Sequence, residues 1–160
     1  MRASHRVVAF TVGCVLAVGA APVAGAIELD LRDDIEGTPH DDVLRGTPRD
    51  DRLWGGSGFN RLFGLGADDR LVAGPRRDHV YGGRGDDVLQ GRHGVDRLVP
   101  GRGRDRVSGG PAHDVVELRN DRNPDRVDCG RGFDVVRWVG HDRDKLDVFT
   151  GCERFVRRHR

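Results

Sequence analysis

Little in this 160-residue chain would build a thick hydrophobic core or an enzyme active site. Hydrophobic residues make up 36%, charged residues 33% and aromatics only 6%. That balance excludes a large globular interior and fits a thin core repeated along one axis. Beyond residue 26 the only serines are Ser57 and Ser108. Neither sits in a strand-turn-helix context, so a serine nucleophile is not expected. His40, His79, His93, His113, His141 and His159 lack the helical spacing of a zinc site. The glycine-rich stretch from Gly55 to Gly58 is not followed by a helix signal, which removes a phosphate-loop reading. The chain is not expected to be an enzyme.

Long apolar runs are missing too, with one exception. Val7 to Ala26 is apolar, follows Arg2 and Arg6, and ends in Ala24-Gly25-Ala26, small residues of the kind a signal peptidase reads. Residues 1–26 are therefore read as a cleaved signal peptide, the competing reading being an uncleaved membrane anchor. Cys14 follows Thr11-Val12-Gly13, a poor lipidation box. Without Arg2 and Arg6 the net charge of +1 becomes −1, and the remaining cysteines are Cys129 and Cys152. In an oxidising compartment an even pair reads as a disulfide. The expectation is a secreted or envelope-associated monomer that touches neither nucleic acid nor, after cleavage, the membrane.

What the chain does have is a period. Leu44, Leu53, Leu62, Leu71, Val80, Leu89, Leu98, Val107 and Val116 stand nine residues apart. Two positions before each sits Asp42, Asp51, Asn60, Asp69, Asp78, Asp87, Asp96, Asp105 and Asp114. From residue 37 to 117 the unit reads as glycine-rich turn, carboxylate, short strand, without insertion. Such a strict period means a solenoid in which each repeat supplies one strand and stacking buries a continuous core.

This unit resembles the hemolysin-type (RTX) calcium-binding nonapeptide repeat, Gly-Gly-x-Gly-x-Asp-x-apolar-x. The resemblance implies an all-β, right-handed parallel β-roll, a β-solenoid in which two repeats make one circuit and alternate repeats stack. Asp51, Asp69, Asp87 and Asp105 would then line one edge, and Asp42, Asn60, Asp78, Asp96 and Asp114 the other. Neighbouring carboxylates would stand ~4.8 Å apart and repel unless a cation lies between them. Calcium suits that gap because it accepts six to eight hard oxygens in loose geometry, backbone carbonyls included. The expected cofactor is therefore Ca2+, with folding coupled to extracellular calcium. The best-formed turn is Gly82-Gly83-Arg84-Gly85-Asp86-Asp87, which adds Gly83, Gly85 and Asp86 to the metal-site candidates. The best sites are expected between Asp69, Asp87 and Asp105, and poorer ones around Asn60 and Asp78, where prolines and arginines displace the glycines.

A rival reading needs no metal. Arginine follows the ladder residue at Arg52, Arg61, Arg70, Arg97 and Arg106, and fixed cations could balance the aspartates, giving a scaffold that binds an anionic envelope polymer or a protein partner. Phe63, Tyr81 and Val99 would form an outward apolar row flanked by Arg45 and Glu117, with Trp54 and Val72 on the opposite face.

The ends depart from the period. Ile27 to Arg32 alternates like a half-buried strand, so 27–36 is read as an N-terminal cap. Residues 118–156 are read as degenerate repeats and a C-terminal cap, with Asp125-Arg126-Val127 and Asp134-Val135-Val136 resuming the pattern, Asp144-Lys145-Leu146-Asp147 as a last shifted copy, and a Cys129–Cys152 bridge pinning the final turn. Residues 157–160 are read as a solvated basic tail.

Overall fold

The computed structural model describes residues 6–8, 34–139 and 145–158. It is an all-β parallel solenoid, with no helix among the described residues. The strands are β1 (Arg6–Val8), β2 (Asp34–Glu36), β3 (Val43–Arg45), β4 (Arg52–Trp54), β5 (Arg61–Phe63), β6 (Arg70–Gly74), β7 (His79–Arg84) and β8 (Val88–Arg92). They continue as β9 (Arg97–Arg102), β10 (Arg106–Pro111), β11 (Val115–Arg119), β12 (Arg126–Arg131), β13 (Val135–Val139), β14 (Val148–Thr150) and β15 (Arg154–Arg158). Even-numbered strands form one parallel sheet with β1 at its edge, and odd-numbered strands from β3 form the other. The chain crosses from sheet to sheet at every turn, so β2 to β15 make about seven circuits.

The period dictates this arrangement directly. Within each short strand only the middle residue faces inward, because side chains alternate across the strand. The register stacks Ile35, Leu53, Leu71, Leu89, Val107, Val127 and Phe149 in one sheet. Leu44, Leu62, Val80, Leu98, Val116, Val136 and Phe155 stack in the other. All nine periodic residues from Leu44 to Val116 are buried. Each contributes about 1.5–3 kcal/mol of hydrophobic burial, and none has a deep core to fall back on. A slip of one residue would turn the whole column outward, which is why the register is so strictly kept.

The outer faces are partly as expected. Arg45, Phe63, Tyr81 and Val99 align across β3, β5, β7 and β9. Phe63 and Tyr81 stack at 4.9 Å, and the Arg45 guanidinium lies 4.9 Å from the Phe63 ring centre. Glu117 accepts a 2.7 Å hydrogen bond from Arg97. Val72, expected on the surface beside Trp54, is instead buried, although it is not part of the central hydrophobic cluster.

At the C-terminal end the coil continues through the broken period. The turn before Asp125 holds two extra residues, so the ladder step lengthens from 18 to 20 and the stacking survives. The last copy differs from the sequence expectation. Leu146 is 56% exposed, and Phe149 packs on the core with Asp147 as the residue before its strand. Arg157 and Arg158 belong to β15 rather than to a free tail. The cap strand expected at Ile27 to Arg32 lies outside the described residues, as does most of the apolar leader. Arg6–Val8 is an exception and pairs in parallel with Asp34–Glu36.

Candidate metal centre

Each turn ends in its ladder residue, whose carbonyl accepts the N–H of the residue after the ladder position one circuit on, as in Arg70 N–H to Asp51 O at 2.9 Å. The side chain does the complementary job. Asp69 Oδ1 accepts the Asp51 N–H at 2.8 Å, Asp87 Oδ1 the Asp69 N–H at 2.9 Å, and Asp105 Oδ1 the Asp87 N–H at 2.8 Å. Asp125 and Asp147 extend that edge. On the opposite edge Asn60, Asp78, Asp96, Asp114 and Asp134 accept in the same way from the ladder residue one circuit earlier. Asp42 stands at the start of this second row and is half-buried, while Asp51 and its successors through Asp134 are buried. The two predicted rows therefore exist, and one oxygen of each stacked carboxylate is spent holding them in register.

The second oxygen separates the turns into two kinds. In Asp69, Asp87, Asp96, Asp105, Asp114 and Asp134 the Oδ2 atom is buried and has no hydrogen-bond partner. In Asp42, Asp51 and Asp78 it accepts the N–H of the turn's second residue, Thr38, Thr47 or Gly74. The cause is the backbone. In the open turns the second residue has positive φ: Leu65 at 86°, Gly83 at 132°, Arg92 at 72°, Gly101 at 124°, Gly110 at 117° and Gly130 at 102°. Its N–H then turns away from the carboxylate, as in Leu65 N–H to Gly82 O at 2.9 Å. In the closed turns the second residue stays out of that region, and its N–H points at the carboxylate.

Unpaired buried carboxylates are costly, and their acidity records it. Burial, followed by repulsion from the stacked carboxylates, raises Asp87 and Asp96 to about 8. Burial with repulsion from nearby carboxylates also raises Asp69, Asp105 and Asp125 to about 7 and Asp114 to about 6, the carboxylates around Asp105 being Asp121, Asp86 and Asp68. Asp78 and Asp134 are also raised, again chiefly by burial. Among the described residues none of the six open carboxylates forms an ion pair with arginine. The arginines after the ladder positions are exposed or half-buried on the outer face of the sheets, whereas the ladder carboxylates are buried.

The surroundings suit a hard cation. A Cβ placed on Gly82 would collide with both Asp87 Oδ2 and the Pro100 carbonyl of the next circuit. The equivalent position on Gly91 would lie 2.6 Å from Asp96 Oδ2 and 2.6 Å from Gly109 O, and on Gly109 it would meet Asp114 Oδ2 and Cys129 O. A carboxylate oxygen and a carbonyl of the next turn thus converge on one glycine-lined gap. Among the described residues no three His, Cys, Asp or Glu side chains converge as a metal-holding group. Backbone carbonyls have to complete the shell, which calcium accepts and more geometry-bound ions do not. Gly83 and Gly85, at φ 132° and 121°, would drive a Cβ into the Leu65 and Ala67 carbonyls, so only glycine lets the stacked turns approach this closely. Asp86 lies one residue outward, exposed, donating its N–H to Asp68 and accepting from Arg104 N–H at 2.8 Å.

In the sequence Asp125, Asp134 and Asp147 read as parts of degenerate copies but not as metal candidates, and Glu153 does not read as a ladder residue, yet all four join the rows. Asp134 has the same unpartnered oxygen as the central sites, and its Asp-Val-Val follows the pattern closely enough to have been included. Glu153 ends its row by accepting the Asp134 N–H at 2.7 Å. Glu153-Arg154-Phe155 does carry the acid-x-apolar signal, but the longer side chain hides it from a search for aspartate. The disulfide joins Cys129 to Cys152 with Cα atoms 5.2 Å apart, clamping successive turns on that edge.

Residues 45–75, 72–107 and 94–122 match the family described as RTX calcium-binding nonapeptide repeat, of which the matched pattern holds 4 copies. No curated protein and no solved structure matches the chain.

Proposed function

We propose, from the premise that this chain belongs to the RTX calcium-binding repeat proteins, that it is a secreted, non-catalytic protein whose repeat region coils when calcium fills its open turns. RTX nonapeptide repeats bind Ca2+, and they are a structural module rather than a catalytic one. The assignment of residues rests on one observation, the six buried ladder carboxylates whose Oδ2 has no partner. Asp69, Asp87 and Asp105 on one edge, and Asp96, Asp114 and Asp134 on the other, are the residues that would hold ions together with carbonyls of the adjoining turns. Asp86 would add charge from just outside the first edge.

Calcium bound between circuits removes the repulsion and the unsatisfied oxygen together. Because the gap exists only in the coiled chain, each site adds RT ln(1 + [Ca]/Kd) to stability, about 2.7 kcal/mol at 100 times its Kd. Secretion is supported by the leader-like segment 1–26 and by a disulfide of the kind oxidising compartments sustain. Millimolar extracellular calcium would then drive coiling after export.

The test is far-UV circular dichroism in chelator and across calcium from micromolar to tens of millimolar, with magnesium as control. A calcium-specific gain of β signal, weakened in Asp87→Ala, is expected. A β spectrum already complete in chelator and indifferent to calcium would overturn the reading and favour a metal-independent scaffold.

A further inference from the structure

We propose that the first three turns of the repeat region take no calcium although they fit the repeat spacing: Thr38, Thr47 and Asn60 supply the stabilisation that an ion supplies elsewhere. Calcium-dependent coiling then begins at Gly64. This rests on the reading that the open turns bind calcium, and it adds which turns do not.

Each of the three is satisfied by the chain itself. In turn 37–42 the Asp42 Oδ2 accepts the Thr38 N–H at 2.6 Å and the Thr38 hydroxyl at 2.9 Å. In turn 46–51 the Asp51 Oδ2 accepts the Thr47 N–H and, at 3.0 Å, the Thr47 hydroxyl. Both hydroxyls also accept an N–H two residues on, from His40 and Arg49 at 3.2 Å, so no lone donor is left over. Turn 55–60 has the positive φ of an open turn at Gly56, 78°, but its carboxylate is replaced by the neutral Asn60, whose amide donates to Ser57 O at 3.2 Å. An aspartate-plus-ion pair has become an amide.

Threonine makes the closure obligatory. The open turns need positive φ at the second position, which a β-branched residue strongly resists. Pro39 and Pro48 follow and restrict the threonines further. Proline alone is not decisive, because Gly110 reaches φ 117° before Pro111 and the Asp114 Oδ2 behind it is unpartnered. Turn 73–78 shows the contrast. It is closed by Gly74 N–H to Asp78 at 2.8 Å, but glycine is free to rotate, so that closure is not locked.

The experiment counts ions on the whole protein by calorimetry and equilibrium dialysis. Asp51→Asn should leave the number of bound calcium ions unchanged, Asp87→Asn should lower it, and Thr47→Gly combined with Pro48→Gly should raise it. A loss of calcium in Asp51→Asn equal to that in Asp87→Asn would overturn the proposal. Should a variant fail to coil, side-chain carboxyl 13C shifts of the unaltered protein decide. Asp87, Asp105 and Asp114 should move on adding calcium and Asp42 and Asp51 should stay, and calcium-driven movement of Asp51 matching Asp87 would refute the closure. Absence of any calcium binding by the unaltered protein overturns the calcium reading itself, a result the Asp51 comparison cannot produce.

Discussion

The stretch from Asp34 to Phe63 and the stretch from Gly64 to Val139 carry the same ladder and the same apolar column, yet they settle their charges differently. In the first, every strand is three residues long and every turn is closed by threonine or an asparagine amide. In the second, strands reach five or six residues, and six carboxylates are left with an unpartnered oxygen. The aspartate is common to both. Where the ladder residue is aspartate, the backbone two places into the turn sets whether its Oδ2 meets a turn N–H or stays unpartnered; turn 55–60, with Gly56 at φ 78°, carries the neutral Asn60 instead.

Removing calcium should break the comparison most severely. With several sites each contributing a few kcal/mol, their sum exceeds the ~5–15 kcal/mol that holds a typical domain together. Chelation is expected to uncoil the region beyond Gly64, read as loss of most far-UV β signal and of amide-exchange protection at Leu89, Leu98 and Val107. Protection at Leu44 and Leu53 should fall least, and equal loss in both stretches would remove the distinction.

Proton competition gives the next largest effect. Among the open carboxyls, Asp69, Asp87, Asp96, Asp105 and Asp114 are raised from 3.8 to between about 6 and about 8, and Asp134 is raised in the same direction. Between those limits the metal-free coil binds more protons than the unfolded chain, so its stability is full below about pH 3.8 and falls as pH rises toward about 8. In chelator the melting temperature should therefore drop from about pH 4 to pH 8. In calcium the drop should vanish, while calcium affinity should weaken on acidification through the same range because proton and ion compete for one oxygen. A chelated protein whose stability rises with pH would contradict the burial of unpaired carboxyls.

Most of the fold was legible because one signal was repeated nine times. Leu44 to Val116 at a fixed spacing leaves a single register in which every apolar residue faces inward. The ladder residues followed from the same spacing, and Asn60 and the Pro75 turn stood out as departures from the glycine pattern. The division into open and closed turns was not legible, since it depends on φ at the second position. Leu65 and Arg92 adopt a conformation ordinarily reserved for glycine, while Gly74 declines it. Val72 escaped for a different reason: alternation gives the face of the sheet a side chain lies on, not what lies over that face. The last circuit was misread because the inserted residues shift the strand, so Phe149 rather than Leu146 reaches the core.

The disulfide sharpens the comparison from the opposite end. The N-terminal turns are held by hydrogen bonds that persist at any redox potential, whereas the C-terminal turns depend on a cross-link between residues separated by 23 positions. Replacing both cysteines, Cys129→Ser with Cys152→Ser, should cost about 2–4 kcal/mol in calcium-loaded denaturant unfolding. Because the Cys129 carbonyl stands beside the Asp114 Oδ2 gap, the same variant should bind calcium more weakly at the Asp114 turn. Unchanged calcium affinity would show that the bridge holds β14 and β15 alone.

The smallest effect tests the turn rule itself. Leu65 at φ 86° and Ala112 at φ 106° occupy second and fourth turn positions where the repeat pattern has glycine. A non-glycine residue there carries roughly 1–3 kcal/mol of backbone strain, and glycine would give back ~0.5–1 kcal/mol through the freer unfolded chain. Leu65 is 44% exposed, so little packing is forfeited. Leu65→Gly should raise stability by about 1 kcal/mol and leave the ion count unchanged, because the turn is already open. Thr47→Gly inverts that outcome, since the native threonine is unstrained and its loss removes a closing hydroxyl. If both substitutions moved stability in the same direction, the second turn residue would not be what separates the two halves of the coil.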